Sequence, residues 1–365
     1  MATTSLILWL AFGLGALVGA SGSRSHFCTM GAMADIVNMG DWNRMRMWFL
    51  AMGMAILGTA GLQLAGLIDI TQSIYTGPRL PWLSHVVGGL TFGAGMVLAS
   101  GCGAKTLIRI GGGSLKSLVV FLVMGLTASI TLRGLLGVGR AAWLDPASLY
   151  LDTGRQDLPS LLAAATGLPP ATALAALAGG LGLALCLAAL ARQDFRTRDN
   201  LLGGLGVGLA VVGGWYVSGH LGFVPEDPDT LQPAFLATNS GRMESLSFVA
   251  PQAYTLDLLM SWSDTSRKLS FGIATALGVV AGSLVEALMS QSFRWEGFRD
   301  TEDTASHLIG AALMGFGGVT ALGCSIGQGV TGLSTLALGS ILTLAAILAG
   351  AWTALKIQYW RLLRE

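Results

Sequence analysis

The chain has 365 residues, 53% hydrophobic and only 11% charged, with a formal net charge of +1 and a mean hydropathy of +0.65. Ordinary globular domains carry about 25% charged residues, so a soluble protein of this size is excluded, and without short alternating segments so is an outer-membrane barrel. The near-neutral charge, with no basic block, gives no nucleic-acid partner.

The N-terminus, MATTSLILWLAFGLGALVGASG, lacks the basic region of a secretory signal and reads as a first membrane segment. Nine apolar stretches follow one another at about 5–20, 46–68, 85–100, 115–137, 171–191, 201–217, 269–290, 307–322 and 335–355. Runs of about 17–25 apolar residues fit bilayer-spanning helices. Several of these are short, and the 52 glycines suit both close helix packing in lipid and broken helices. The expected fold is an all-α polytopic membrane protein, with about nine transmembrane helices plus short broken or re-entrant ones. It forms a single membrane domain in a lipid bilayer.

With the N-terminus outside and strict alternation, 14 of the 21 basic residues fall inside and 7 outside. The basic tail KIQYWRLLRE then lies inside, and the long loop 218–268, acidic near its start (VPEDPD), lies outside. This predicts an N-out, C-in topology.

The stretches SHVVGGLTFGAGMVLASGC (84–102) and SHLIGAALMGFGGVTALGC (306–324) align without a gap at an offset of 222. Ser84, His85, Gly88, Gly93, Gly95, Gly101 and Cys102 match Ser306, His307, Gly310, Gly315, Gly317, Gly323 and Cys324. The first copy belongs to the third segment and the second to the eighth, so the copies run in opposite directions. The halves are roughly 1–140 and 200–356, joined by 141–199. Inverted repeats with glycine-interrupted segments point to a transporter site near the midplane. The plainer alternative, a glycine-packed helix pair with incidental cysteines, explains the glycines but not the cysteine in register.

A helix broken at Gly-Cys frees backbone N–H groups where it resumes, and these attract anions. Such irregular backbone is tolerated at membrane depth only where it lines a cavity or is buried in protein. A third stretch, GSRSHFCTMGAMAD, carries Cys28 with Gly31. Cys186, in LGLALCLAALA, has no such company and reads as a small hydrophobe. On the predicted topology Cys28 and Cys102 lie toward the reducing cytoplasm and Cys324 toward the other face, so disulfides are not expected.

Soft thiols without CxxC pairs suit a sulfur-bearing substrate. Copper(I) is the competing soft substrate, with Met30, Met33, Met39, Met45 and Met47 clustered after Cys28, but the paired Cys or Met ligands of a copper path are missing. Lys105, Thr106 and Arg109 follow Cys102 and favour an anion. Arg109 and Lys116 have the alternative of snorkelling to the interface. Ser325 and Gln328, after Cys324, offer uncharged donors. His85 and His307 pack or cap the repeated helices, or relay protons.

At these residues the chain resembles the YeeE/YedE family of bacterial inner-membrane sulfur-compound transporters, whose characterised members take up thiosulfate. The resemblance rests on SRSHFCTMGAMAD, PWLSHVVGGLTFGAGMVLASGCGAKTLIRIGGG and GAALMGFGGVTALGCSIGQG. It implies a nine-helix fold with inverted pseudo-symmetry and a cysteine-lined path through Cys28, Cys102 and Cys324. Gly31, Gly101, Thr106, Arg109, Gly323, Ser325, Gly327 and Gly329 also fall on family positions. Departures are the length of loop 218–268 and Lys105, where a small residue is more usual. Some family members serve selenium metabolism, and some work with a small cytoplasmic sulfur-carrier protein.

The expected function is uptake of thiosulfate or a close sulfur analogue across the inner membrane. The substrate-path residues are Cys28, Gly101, Cys102, Lys105, Thr106, Arg109, Gly323, Cys324, Ser325 and Gln328, without a cofactor, metal or catalytic residue. The rival is a membrane sulfurtransferase that forms a cysteine persulfide, with Lys105 and Arg109 activating Cys102. No GxxxxGK[ST] motif is present for ATP.

Overall fold

A computed structural model describes residues 2–227, 231–264 and 266–362. Residues 228–230, in the acidic start of the long loop, and Arg364, in the basic tail, lie outside the described residues. The protein is built from helices in chain order: α1 (Ala2–Arg24), α2 (Thr29–Met39), α3 (Asn43–Leu64), α4 (Trp82–Leu98), α5 (Gly103–Gly111), α6 (Leu115–Arg133) and α7 (Leu135–Gly139). After these come α8 (Leu158–Thr166), α9 (Pro170–Leu190), α10 (Arg198–Tyr216), α11 (Ala250–Met260), α12 (Phe271–Met289), α13 (Thr301–Thr320) and α14 (Leu338–Leu362). Described strands are limited to two short antiparallel pairs, Arg79–Leu80 with Leu149–Tyr150 and Phe223–Val224 with Ala234–Phe235. The all-α polytopic membrane fold expected from composition is the fold observed.

Among the described residues, eight helical segments are long and apolar enough to cross a membrane. Two of them are broken: Thr3–Met39 joins α1 to α2, and Trp82–Gly111 joins α4 to α5. The remaining apolar stretch, 307–322, lies in α13. Its first turn carries Glu302 and Asp303, which suit the positive end of the helix dipole but lower its apolarity. At 20 residues α13 is about 30 Å long, the thickness of a bilayer core.

Helix directions follow from which glycines meet which backbones. Gly15 and Gly19 of α1 face Thr275 and Val279 of α12, so these helices run parallel. Gly204 and Gly208 of α10 face Met47 and Ala51 of α3, again parallel. Between the copies, Gly88 faces Gly317 and Gly95 faces Gly310, so α4 and α13 run antiparallel. A Cβ on Gly95 would sit 2.7 Å from the Gly310 carbonyl oxygen, and one on Gly317 would sit 2.6 Å from that of Gly88. Only glycine allows this contact, which is why the repeat kept these positions. The relative directions are those of strict alternation through nine segments.

The copies also break identically. Ser100 and Leu322, 222 residues apart, both adopt left-handed backbone, with φ of 55° and 58°. In each, the N–H of the next residue reaches five residues back, Gly101 to Met96 and Gly323 to Gly318, both at 2.8 Å. This is a Schellman stop. His26, φ 54°, makes the same stop before Cys28, with Phe27 N–H bonded to Gly22. The residue in the left-handed helical conformation is therefore the one before Gly101 or Gly323, although Gly323 also has a positive φ of 159°. Each cysteine follows its left-handed residue by two.

Past Cys324 the offset changes to 223. Gly113 and Leu336 are left-handed, and Leu115 N–H bonds to Glu296 as Leu338 N–H bonds to Gln156. The extra residue is absorbed in a π-turn, Gly327–Gly332, where Leu333 N–H reaches back to Gln328. Such single-turn bulges are common at functional sites.

Candidate functional site

The three helix breaks place their cysteines at new helix starts. Cys28 caps α2 in extended backbone, and its sulfur accepts from Gly31 N–H at 3.4 Å. Cys324 repeats this, accepting from Gly327 N–H at 3.3 Å. Cys102 caps α5, but its thiol makes no capping hydrogen bond. All three are buried free thiols. Cys102 lies within electrostatic reach of both Cys28 and Cys324. The thiols expected at separate depths therefore share one region.

Ser325 stands against Cys102: its hydroxyl is directed at the thiol but meets no hydrogen-bond partner, although it is fully buried. A buried polar group left open in this way calls for an explanation, and a passing ligand supplies one. Gln328 braces the break, donating from Nε2 to the Ala321 carbonyl at 2.6 Å, while its Oε1 has no partner. Gly323 lies against the Gln328 side chain. Thr106 is tied back to the Cys102 carbonyl at 3.1 Å, so its hydroxyl serves the helix. Gly101 packs on the Lys105 side chain and lies near the Arg109 guanidinium.

Two cavities flank this region, at opposite ends of α12. One, of about 660 Å³, reaches Glu286 and Met289 at the end of α12 and is lined by Arg24, His26, Lys105 and Arg109. The other, of about 340 Å³, reaches Gly272 at the start of α12 and is lined by Tyr75, Glu244, Ser247 and Gly323. Met289 lies seventeen residue steps along the helix from Gly272, about 26 Å. Lys105 is half-buried and within electrostatic reach of Cys28, Cys102 and Arg109, so it joins the first cavity to the thiols. Ser247 and Gly323 join the second to Cys324, whose thiol the Ser247 hydroxyl faces.

Sequence reasoning missed Ser247, His26, Tyr75 and Glu244, and it counted Arg44 only as an inside charge. Arg44 lies over Gly31 and pairs with Asp35 at 3.2 Å; its signal was the NRMRMW cluster just after Cys28. Ser247, Tyr75 and Glu244 lie in irregular loops without a motif. Lys116 pairs with Glu296 at 2.9 Å and stands apart from the thiols. Cys186 is half-buried against Gly53 of α3, a packing position. His85 bonds to Thr343 at 2.7 Å, and His307 to the Asp303 carbonyl at 2.8 Å. Among the described residues, no three His, Cys, Asp or Glu side chains are grouped to hold a metal.

The sulphur transport family matches residues 24–353, nearly the whole chain and all three thiol breaks. The chain belongs to that family. The resemblance drawn from the cysteine stretches therefore holds. The chain is similar to the thiosulfate transporter TsuA of Escherichia coli, at 26% identity over 95% of this chain and 93% of the relative. It is also similar to the thiosulfate transporter TsuA of Spirochaeta thermophila, at 25% identity over 97% of this chain and 100% of the relative. For a member of the sulphur transport family, thiols between two cavities form an arrangement suited to passing a sulfur compound.

Proposed function

We propose that this protein carries thiosulfate, or a closely related sulfur anion, across the bacterial inner membrane, with the N-terminus outside and the C-terminus in the cytoplasm. The single observation that carries the reading is the set of three buried thiols between cavities at opposite ends of α12. The names of the two relatives support the choice of substrate. The anion enters at Ser247 and Gly323, meets Cys324, passes Ser325 to Cys102 and Cys28, and leaves beside Lys105 and Arg109. Thiol S–H groups donate transiently to its terminal sulfur, and helix starts favour its charge. Neutral thiols bind weakly enough to release, as conduction requires. The halves 1–140 and 200–356 act as inverted repeats, supported by the parallel pairs α1 with α12 and α10 with α3. A small cytoplasmic sulfur carrier is the proposed recipient at the basic cavity.

Uptake of labelled thiosulfate by a host lacking its own transporters tests the reading, with sulfate, sulfite, tetrathionate and selenium compounds as competitors. Uptake unchanged in Cys102→Ala overturns the path. A second reading, a membrane sulfurtransferase, is favoured by Lys105 beside Cys102. Mass spectrometry of Cys102 trapped during turnover decides it, because only that reading predicts a persulfide.

A further inference from the structure

The transport reading leaves the driving force open, and this inference rests on that reading. A dianion moving into a cell works against the inside-negative potential, and the chain has no phosphate-binding loop for ATP. Another ion must move with it or in exchange.

The outer cavity contains one carboxylate, Glu244. An anion path should exclude such a group, since a fixed negative charge at its mouth repels the substrate. Glu244 is held in place by Ser240, whose backbone N–H at 2.8 Å and hydroxyl both donate to Oε1. Its own N–H meets Ser218 Oγ at 3.2 Å. No cation neutralises it. Arg133 and Arg267 are both paired with Asp257, and Arg242, exposed on the same cavity, bonds to the Ser73 carbonyl. The groups facing Glu244 from neighbouring elements are two phenols, Tyr75 and Tyr254. Burial raises its proton affinity against the opposing hydrogen bonds from Ser240.

From Glu244 a line of protonatable side chains crosses the protein. Tyr75 is within electrostatic reach of both Glu244 and Cys324. Cys324 is within reach of Cys102, and Cys102 of Cys28. Cys28 is within electrostatic reach of Lys105, and Lys105 of His26. Both Lys105 and His26 line the inner cavity. Buried ionisable chains of this kind mark proton routes in membrane proteins.

We propose that the protein is a proton–anion symporter in which Glu244 is the outer proton acceptor. Outer water protonates Glu244, the mouth becomes neutral, and the sulfur anion is admitted. Each group on the line then takes a proton from its outer neighbour and yields one to its inner neighbour. One proton leaves at His26 for each proton taken up at Glu244, and two protons per dianion make the transfer electrically neutral. No bond to sulfur other than S–H forms or breaks, and nothing is oxidised.

The test uses the full chain in proteoliposomes of known orientation, with labelled thiosulfate and a lumenal pH dye read together. The wild type should acidify the lumen as thiosulfate enters, and its uptake should rise several-fold as outer pH falls from 8 to 6. Glu244→Gln, which fixes the neutral form, should still exchange labelled thiosulfate across the membrane. Its uptake should be independent of outer pH, without lumenal acidification. Glu244→Asp should restore part of the pH dependence. Thiosulfate flux in the wild type without proton movement overturns the symport while sparing the transport reading. The same pH profile in wild type and Glu244→Gln overturns the role of Glu244. No thiosulfate flux in the wild type overturns both.

Discussion

Cys102 and Cys324 sit at the same break in two copies of one unit, yet their surroundings differ. Cys324 has its sulfur engaged by Gly327 N–H and is followed by neutral Ser325 and Gln328. Cys102 lacks the capping bond that holds the Cys324 sulfur and is followed by Lys105 and Arg109. The shared backbone fixes where a thiol stands. The side chains that follow fix what charge it meets. On the proposed path the anion would meet neutral donors after Cys324 and cations after Cys102, so the same backbone geometry would serve two different steps.

Substitutions at the two cysteines probe this contrast most strongly. Cys102→Ala should lower uptake roughly 10–100-fold, the loss of one hydrogen bond to a charged ligand, and leave thermal unfolding unchanged. Cys324→Ala should lower uptake comparably and also cost about 0.5–1 kcal/mol of stability through the lost cap. Equal unfolding temperatures for the two variants in detergent would remove the distinction between the stations.

Lys105→Ser tests the charge. It should raise the KM for thiosulfate roughly tenfold, about 1.4 kcal/mol, and weaken the dependence of uptake on ionic strength. A KM equal to wild type places Lys105 off the path. Ser325→Ala has a smaller expected effect. Because its hydroxyl faces only the Cys102 thiol, removing it should change stability little and should reduce uptake roughly fivefold.

The smallest effect belongs to the Lys116–Glu296 pair, of which only Glu296 lines the inner cavity. Lys116→Met should cost about 0.5 kcal/mol and change uptake less than twofold. Hydrogen bonding to Lys116 is the leading cause that holds the Glu296 carboxyl below its ordinary range, against partial burial. A carboxyl lowered in the folded state contributes stability above its unfolded value, and this is lost as pH falls through the lowered folded value. The variant and wild type should therefore converge in stability near pH 3, as unfolding at pH 7 and pH 3 would show.

Much of this was legible in the sequence because lipid enforces it. Apolar runs had to become helices, and Gly88, Gly95, Gly310 and Gly317 had to meet backbone. The in-register Cys102 and Cys324 marked both breaks. What stayed hidden depends on contacts between distant segments. Ser325 comes to face Cys102 across more than 220 residues, and no local pattern announces it. Tyr75, Ser247 and Glu244 come from loops whose course is set by packing rather than by periodicity. The start of α11 at Val249 carries no cysteine, so the motif that revealed the other helix starts is missing there. The break falls at Gly-Cys as expected, but the left-handed residues that make it, Ser100 and Leu322, carry no glycine signal.

The π-turn at Gly327–Gly332 has a consequence for direction. Two identical halves placed head to tail would present the same face to both sides of a membrane, and the molecule would have no preferred sense of operation. One residue more in the copy where Gln328 reaches back to brace the break adds a backbone difference to the side-chain differences between the copies. The two faces are therefore unlike in backbone as well as in charge.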